Sequence, residues 1–240
     1  MSRFVAPARW PLVGLLTLLT YNTWALSGAV HARSRMFLGY LSEFSASDQP
    51  HNLFFRTGDF LTALVVGALG VRALLVWPGL VPRRRRWWWV AAAALLLFSL
   101  STLLDSFFSM DCSPTLDAQC KVLEETGRLS AVHYAHTFTS VGAQTGITTS
   151  MIAAYIALLR GAVGGPRLRR AVLAVCLAEV VPLTVMMAML AAGVPGIGYP
   201  QAVMVAVSSV WFAGVGVALQ AGTPVALAKP ALVSEDRPAR

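Results

Sequence analysis

Asp105, His133, His136 and Ser140 are the residues of this chain whose types and spacing could do chemistry. Two histidines three residues apart share one side of a helix. A carboxylate beside them, Asp105 or Asp59, would complete a ligand set of the kind zinc takes. Zinc so held would activate a water against a lipid ester or amide. Without a metal the same groups make an acid–base pair. An aspartate orients a histidine, and the histidine accepts the proton of a serine, Ser42 or Ser140. A structural role competes with both: imidazoles bonded to Asp105, Asp111 or loop carbonyls would only hold one helix against the loop before it.

The elements that must position these residues follow from hydropathy. At helical spacing His133, His136, Thr137, Ser140, Gln144 and Thr148 fall on one face, about 22 Å long. Lipid rejects such a stripe, so it faces protein or a water-filled cavity, where polar residues are functional candidates. The chain has 240 residues, 56% of them hydrophobic and 12% charged, which excludes a soluble domain and makes it an all-α, polytopic membrane helix bundle. The formal net charge of +8 would suggest nucleic acid in a soluble protein. Here the basic residues lie in short loops between apolar runs, so they orient the chain in the membrane and no nucleic-acid partner is expected.

Six transmembrane helices are predicted, over about 10–30, 58–81, 87–110, 130–159, 171–193 and 201–220, in one domain of residues 1–222. Outer loops cover 31–57 and 111–129, and a short cytoplasmic tail covers 223–240. The first apolar run reads as a retained helix rather than a signal peptide, because Tyr21 and Asn22 interrupt it and its length suffices to cross. Arg83 to Arg86 are four adjacent arginines, hard to translocate, and Trp87 to Trp89 follow as an interfacial belt. With Arg3, Arg9, Arg160, Arg167, Arg169 and Arg170 they place both termini in the cytoplasm of a cell-membrane protein. The histidines and most acids then fall outside.

Cys112 and Cys120 lie in the second outer loop, where a disulfide would persist. Arg72 and Glu179 are both expected deep in apolar helices at similar depth, which suggests an ion pair locking two helices, with a coupling-ion or proton-relay role as the alternative. In the first outer loop and the start of the second helix, Glu43, Arg56 and Asp59 join Ser140 as candidate substrate-binding groups. Arg56 would offer its planar fork to a phosphate headgroup.

The run Ser42-Glu43-Phe44-Ser45-Ala46, then Gln49-Pro50, Phe55-Arg56 and Asp59, followed by Asp105, Asp111-Cys112, Cys120 and His133, resembles the domain of unknown function 998 (DUF998) family of bacterial integral membrane proteins. The likeness spans about Tyr40 to Ser140. It implies six helices and a characteristic first outer loop, and no established activity. A remoter likeness, in the order of serine, acid, proline and phenylalanine in that loop, is to eukaryotic six-helix proteins linked to lipid-anchor remodelling and autophagy. The chain is also loosely similar to ceramidase-like membrane hydrolases, whose metal site uses histidines and an aspartate. It departs from them in having six helices rather than seven, and histidines three apart rather than four. The expected function is a polar outer-face pocket that binds or processes a lipid or lipid-linked substrate, as a hydrolase or transferase, with zinc the metal implied and membrane lipids the partners. A non-enzymatic bundle that stabilises partner proteins, and a small transporter, are the alternatives.

Overall fold

The computed structural model describes residues 9–27, 37–77, 85–161 and 165–220. Its helices are α1 (Trp10–Thr20), α2 (Asn52–Val76), α3 (Arg85–Phe107), α4 (Ala118–Glu125), α5 (Ala131–Gly161), α6 (Pro166–Ala191) and α7 (Gly198–Gln220), with short 3-10 turns at Thr23–Leu26 and Leu41–Ser45. No strand occurs among the described residues. Five helices, α2, α3, α5, α6 and α7, are long and apolar enough to cross a membrane.

The first expected span is shorter than its hydropathy indicated. α1 has 11 residues, about 16 Å against a hydrocarbon core of about 30 Å. The cause is local. Asn22 Nδ2 donates to Leu18 O at 3.2 Å, the carbonyl that the next helical N–H would use. The same amide reaches Ser209 Oγ at 2.8 Å, so the break is also an anchor to α7. Residues 28–30 of that span, residues 31–36 of the first loop, Arg83 and Arg84, and the tail lie outside the described residues.

Neighbours in sequence are neighbours in space. α1 packs on α2, α2 on α3, α3 on α5, α5 on α6 and α6 on α7, and α7 closes the ring on α1. The centre is filled by Val66, Leu69, Leu95, Phe98, Ile147, Met151 and Phe212. Tyr21 stands edge-on to Phe98 at 5.5 Å, and Phe98 meets Phe212 at 4.9 Å. Close approach between helices rests on missing side chains. A Cβ on Gly146 would lie 2.6 Å from Phe98 N and 2.8 Å from Ala94 O, so α5 and α3 touch backbone to backbone.

The two ends differ. At one, the loops cap the bundle: Ser47 N donates to Met110 O, Gly196 N to Leu38 O, and Leu41 N to Gln201 Oε1 at 2.7 Å. At the other, Trp77 and Trp88 pack together, Arg86 and Arg160 lie over the Trp87 ring, and Trp10 N donates to Gln220 Oε1. These are termed the cap end and the arginine end.

Helix boundaries move two functional expectations. α2 starts at Asn52, after His51 in the left-handed region (φ 59°), so Arg56 and Asp59 are helical. α6 starts at Pro166, a residue suited to a first helical position because it has no N–H to leave unpaired. Counted along those helices, Glu179 is near the middle of α6, while Arg72 is about 6 Å from the end of α2. The expected Arg72–Glu179 pair is therefore not made. Arg72 lies over the Trp10 ring at 6.0 Å, and Glu179 accepts from Gln144 Nε2 at 2.8 Å.

Candidate functional site

The cap-end ends of α3 and α5 bring Asp105, His136 and Ser140 together. α3 carries Asp105 into the bundle near its last turn, and α5, beginning at Ala131, carries His136 in its second turn and Ser140 one turn deeper. Both histidines are almost wholly buried, His133 at 1% and His136 at 4% exposure, but they do different things.

His133 is a latch. Its Nδ1 accepts the Asp111 backbone N–H at 3.1 Å, which fixes the proton on Nε2, and Nε2 faces Glu124 Oε1 at 3.4 Å. Asp111 in turn accepts from Ser130 N and Ser130 Oγ, each at 2.7 Å, and Ser130 Oγ accepts from His133 N at 3.2 Å. The start of α5 is thereby capped by a closed set of bonds. Partial burial pushes the Asp111 carboxyl up, but the two Ser130 bonds and His133 outweigh it and hold it below the ordinary carboxylate range. A group depressed in the folded state stabilises above its unfolded pKa and stops doing so as pH falls through the folded one. Acidification through the carboxylate range is therefore expected to loosen the first turn of α5, read as faster amide exchange at His133 and Tyr134. Asp111→Asn should show that fast exchange already at neutral pH and lose the acid step.

His136 has the opposite tautomer. Its Nδ1 lies 2.7 Å from Phe108 O and 3.1 Å from Asp105 Oδ1. Two oxygen acceptors on one nitrogen require that nitrogen to carry the proton, so Nε2 is left as the basic atom. Nε2 is 3.5 Å from Ser140 Oγ. Asp105 also accepts from Thr139 Oγ1, and from Ser140 Oγ at 3.2 Å on each carboxylate oxygen. Ser140 thus has two acceptors for one proton, a carboxylate and an imidazole.

Zinc does not fit this arrangement. Among the described residues no three His, Cys, Asp or Glu side chains converge on a point that could hold a metal ion. His133 and His136 share a helix face, but the Asp111 amide occupies one ring and Asp105 with Phe108 the other. The His133–His136–Asp105 ligand set is corrected accordingly, and the catalytic grouping loses His133.

The substrate-binding candidates also separate. Glu43 is 3% exposed and its carboxylate is surrounded by donors: Ser113 Oγ, Thr115 N at 3.2 Å, Thr115 Oγ1 at 2.5 Å and Tyr40 N at 3.2 Å. It fastens the first loop to the loop stapled by the Cys112–Cys120 disulfide, whose Cα atoms are 6.0 Å apart. Arg56 Nε donates to Ser106 O at 2.9 Å and Nη2 to Phe107 O at 3.4 Å, so its fork closes the end of α3 rather than a phosphate. Asp59, half-buried on α2, is near enough to feel the Asp105 carboxyl and stays beside the site.

The polar face of α5 differs in one member. Thr137 is exposed and Thr139 takes its place against Asp105. Spacing favoured Thr137, one residue from His136. Helix α4 was not anticipated either, although Asp117, accepting from Gln119 N at 2.8 Å, is a regular start signal.

Together these features define an all-helical bundle with membrane-crossing helices, a disulfide-stapled cap and a buried Asp–His–Ser group beneath it. The chain belongs to the family described as "Protein of unknown function (DUF998)", whose profile matches residues 12–218. No curated protein and no solved structure matches it.

Proposed function

We propose that the chain is a six-span protein of the cell membrane, both termini cytoplasmic, which takes a membrane lipid at its cap end and cleaves or transfers an ester- or amide-linked group. The single observation carrying this reading is His136. Its Nδ1 is tied to Asp105 and Phe108 O, and its Nε2 lies 3.5 Å from Ser140 Oγ. In the reaction Ser140 Oγ attacks the carbonyl carbon, its proton passes to Nε2, and His136 returns that proton to the departing alcohol or amine. The acyl group left on Ser140 goes to water in a hydrolase, or to a second alcohol in a transferase. Asp105 holds the ring and balances the imidazolium.

Three further features support the reading. Phe107, Phe138 and Val141, each within two residues in sequence of Asp105, His136 or Ser140, are exposed on α3 and α5, a surface for acyl chains. Asp59 and Asp105 make the site acidic, which suits a headgroup bearing amine or hydroxyl donors. Arginines gather at the far end and the acids Asp48, Asp111, Asp117, Glu124 and Glu125 at the cap, the distribution expected with the cap outside. On this reading residues 1–222 are one domain, and the tail 223–240 is cytoplasmic.

The test is turnover of a panel of lipid esters and amides by the purified protein in lipid nanodiscs, with products read by mass spectrometry. Ser140→Ala should form no product while melting as the parent does. Unchanged turnover in that variant would sink the proposal. The rival reading, a bundle that stabilises partner proteins, is favoured by the closed bonding of Glu43 and His133. It expects no lipid product from the parent.

A further inference from the structure

Among the described residues Glu179 is the most buried acidic or basic side chain, and the His136 chemistry does not use it. It is fully buried near the middle of α6. Oε1 accepts from Gln144 Nε2, whose other proton goes to Thr148 Oγ1 at 2.9 Å. Oε2 has no hydrogen-bond partner, although Ser208 of α7 lies beside the carboxyl. An ionised carboxylate at hydrocarbon depth with one oxygen unsatisfied is strongly disfavoured. Something of positive charge must compensate it. Arg72, the basic side chain expected there, is on Trp10.

The surroundings narrow what that charge is. Next to Glu179 are the Gln144 amide and the Ser208 hydroxyl, and Thr148 Oγ1 shares that amide; oxygen-bearing groups of this kind suit a hard cation rather than a transition metal. The titratable neighbours are Tyr21, which follows α1, and Cys176, one turn earlier on α6, both acted on by Glu179. Asp59 of α2 and Asp105 of α3 act on the same Tyr21. Gln144 of α5 and Ser208 of α7 do not titrate. Apart from His136, every ionisable group here is neutral or negative.

Polar side chains lead from the cap end towards the site. Tyr21 packs on Phe98 and Phe212, both wholly buried, yet keeps part of its own surface accessible. Asp59, Asp105, Ser140, Gln144 and Thr148 are partly accessible in the same way, and the last three follow one another by single turns of α5 towards Glu179. Thr102 Oγ1, one turn from Asp105 on the same side of α3, is a second buried polar atom without a partner.

We propose that Glu179, with Gln144, Thr148 and Ser208 around it, binds a monovalent cation, a proton or a sodium ion, reached from the cap end along α5. The test uses the intact chain in detergent and dicyclohexylcarbodiimide, an apolar reagent that adds to protonated carboxyls in membrane interiors. The adduct is mapped by tandem mass spectrometry, with Glu179→Gln as the control for assignment. If sodium is the ligand, sodium but not potassium slows labelling of Glu179. At ten times its dissociation constant the slowing is about tenfold, and Ser208→Ala or Thr148→Val weakens the protection. If the ligand is a proton, labelling ignores sodium and falls as pH rises. Labelling indifferent to both overturns the proposal. So does a Glu179 that reacts only after the protein is unfolded. Either result leaves the Ser140 turnover test unaffected.

Discussion

Glu43→Ala is expected to destabilise the protein by roughly 3–5 kcal/mol, because it removes one carboxylate and strands four donors. Ser113 Oγ, Thr115 N, Thr115 Oγ1 and Tyr40 N all point at a group that is 3% exposed. Water cannot replace the carboxylate without opening the loop. Across a chain of this size the loss corresponds to a melting temperature lower by about 10 °C, measurable by intrinsic tryptophan fluorescence in detergent. Glu43→Gln should recover only part of it, since the new amide nitrogen meets two of the donors as a third. If Glu43 instead bound substrate, both variants would melt with the parent and differ in lipid binding alone. The cap would then owe its order to the disulfide and to Phe44 against Phe55, whose ring centroids are 5.4 Å apart.

The residues that carry the cap and the site were visible in the sequence, and their partners mostly were not. Asp105, His136 and Ser140 could be named because polar side chains in apolar helices are costly and therefore conspicuous. Glu43 was equally conspicuous. Yet the sequence offers no sign that its donors come from Ser113 and Thr115, some seventy residues on. That pairing depends on how two loops close over a ring of helices. The disulfide was legible because the two cysteines are eight positions apart in one short loop, a local fact. The Arg72–Glu179 pair failed because depth was counted from hydropathy boundaries. Moving the start of α6 back to Pro166 sinks Glu179, and ending α2 at Val76 lifts Arg72. The shared zinc set failed for a related reason. Helical spacing puts His133 and His136 on one face, but χ angles and neighbours decide where each ring points.

Asp105→Asn separates a working site from a structural one. The asparagine Oδ1 can still accept from Thr139 and Ser140, so the α3–α5 contact keeps most of its bonds and the melting temperature should fall by only a few degrees, about 1 kcal/mol. Oδ1 is also the atom 3.1 Å from His136 Nδ1, so the ring keeps its acceptor and its tautomer. The other atom changes sign: an N–H replaces the oxygen that accepts from Ser140 Oγ at 3.2 Å, and the negative charge is lost. Without that charge, the imidazolium formed when Nε2 takes the proton of Ser140 is no longer balanced. Turnover in the lipid panel should drop by roughly 10²–10⁴-fold, in kcat far more than in KM, because the lipid's contacts are untouched. The acid limb of the pH–rate profile should shift as well, since the charge that stabilises the imidazolium has gone. A purely structural Asp105 makes the reverse forecast. With most of the bonds kept and nothing to catalyse, Asp105→Asn would match the parent in every lipid measurement. The damage would appear only on Asp105→Leu, which takes the carboxylate acceptor from Thr139 and Ser140 and leaves the His136 Nδ1–H with Phe108 O alone.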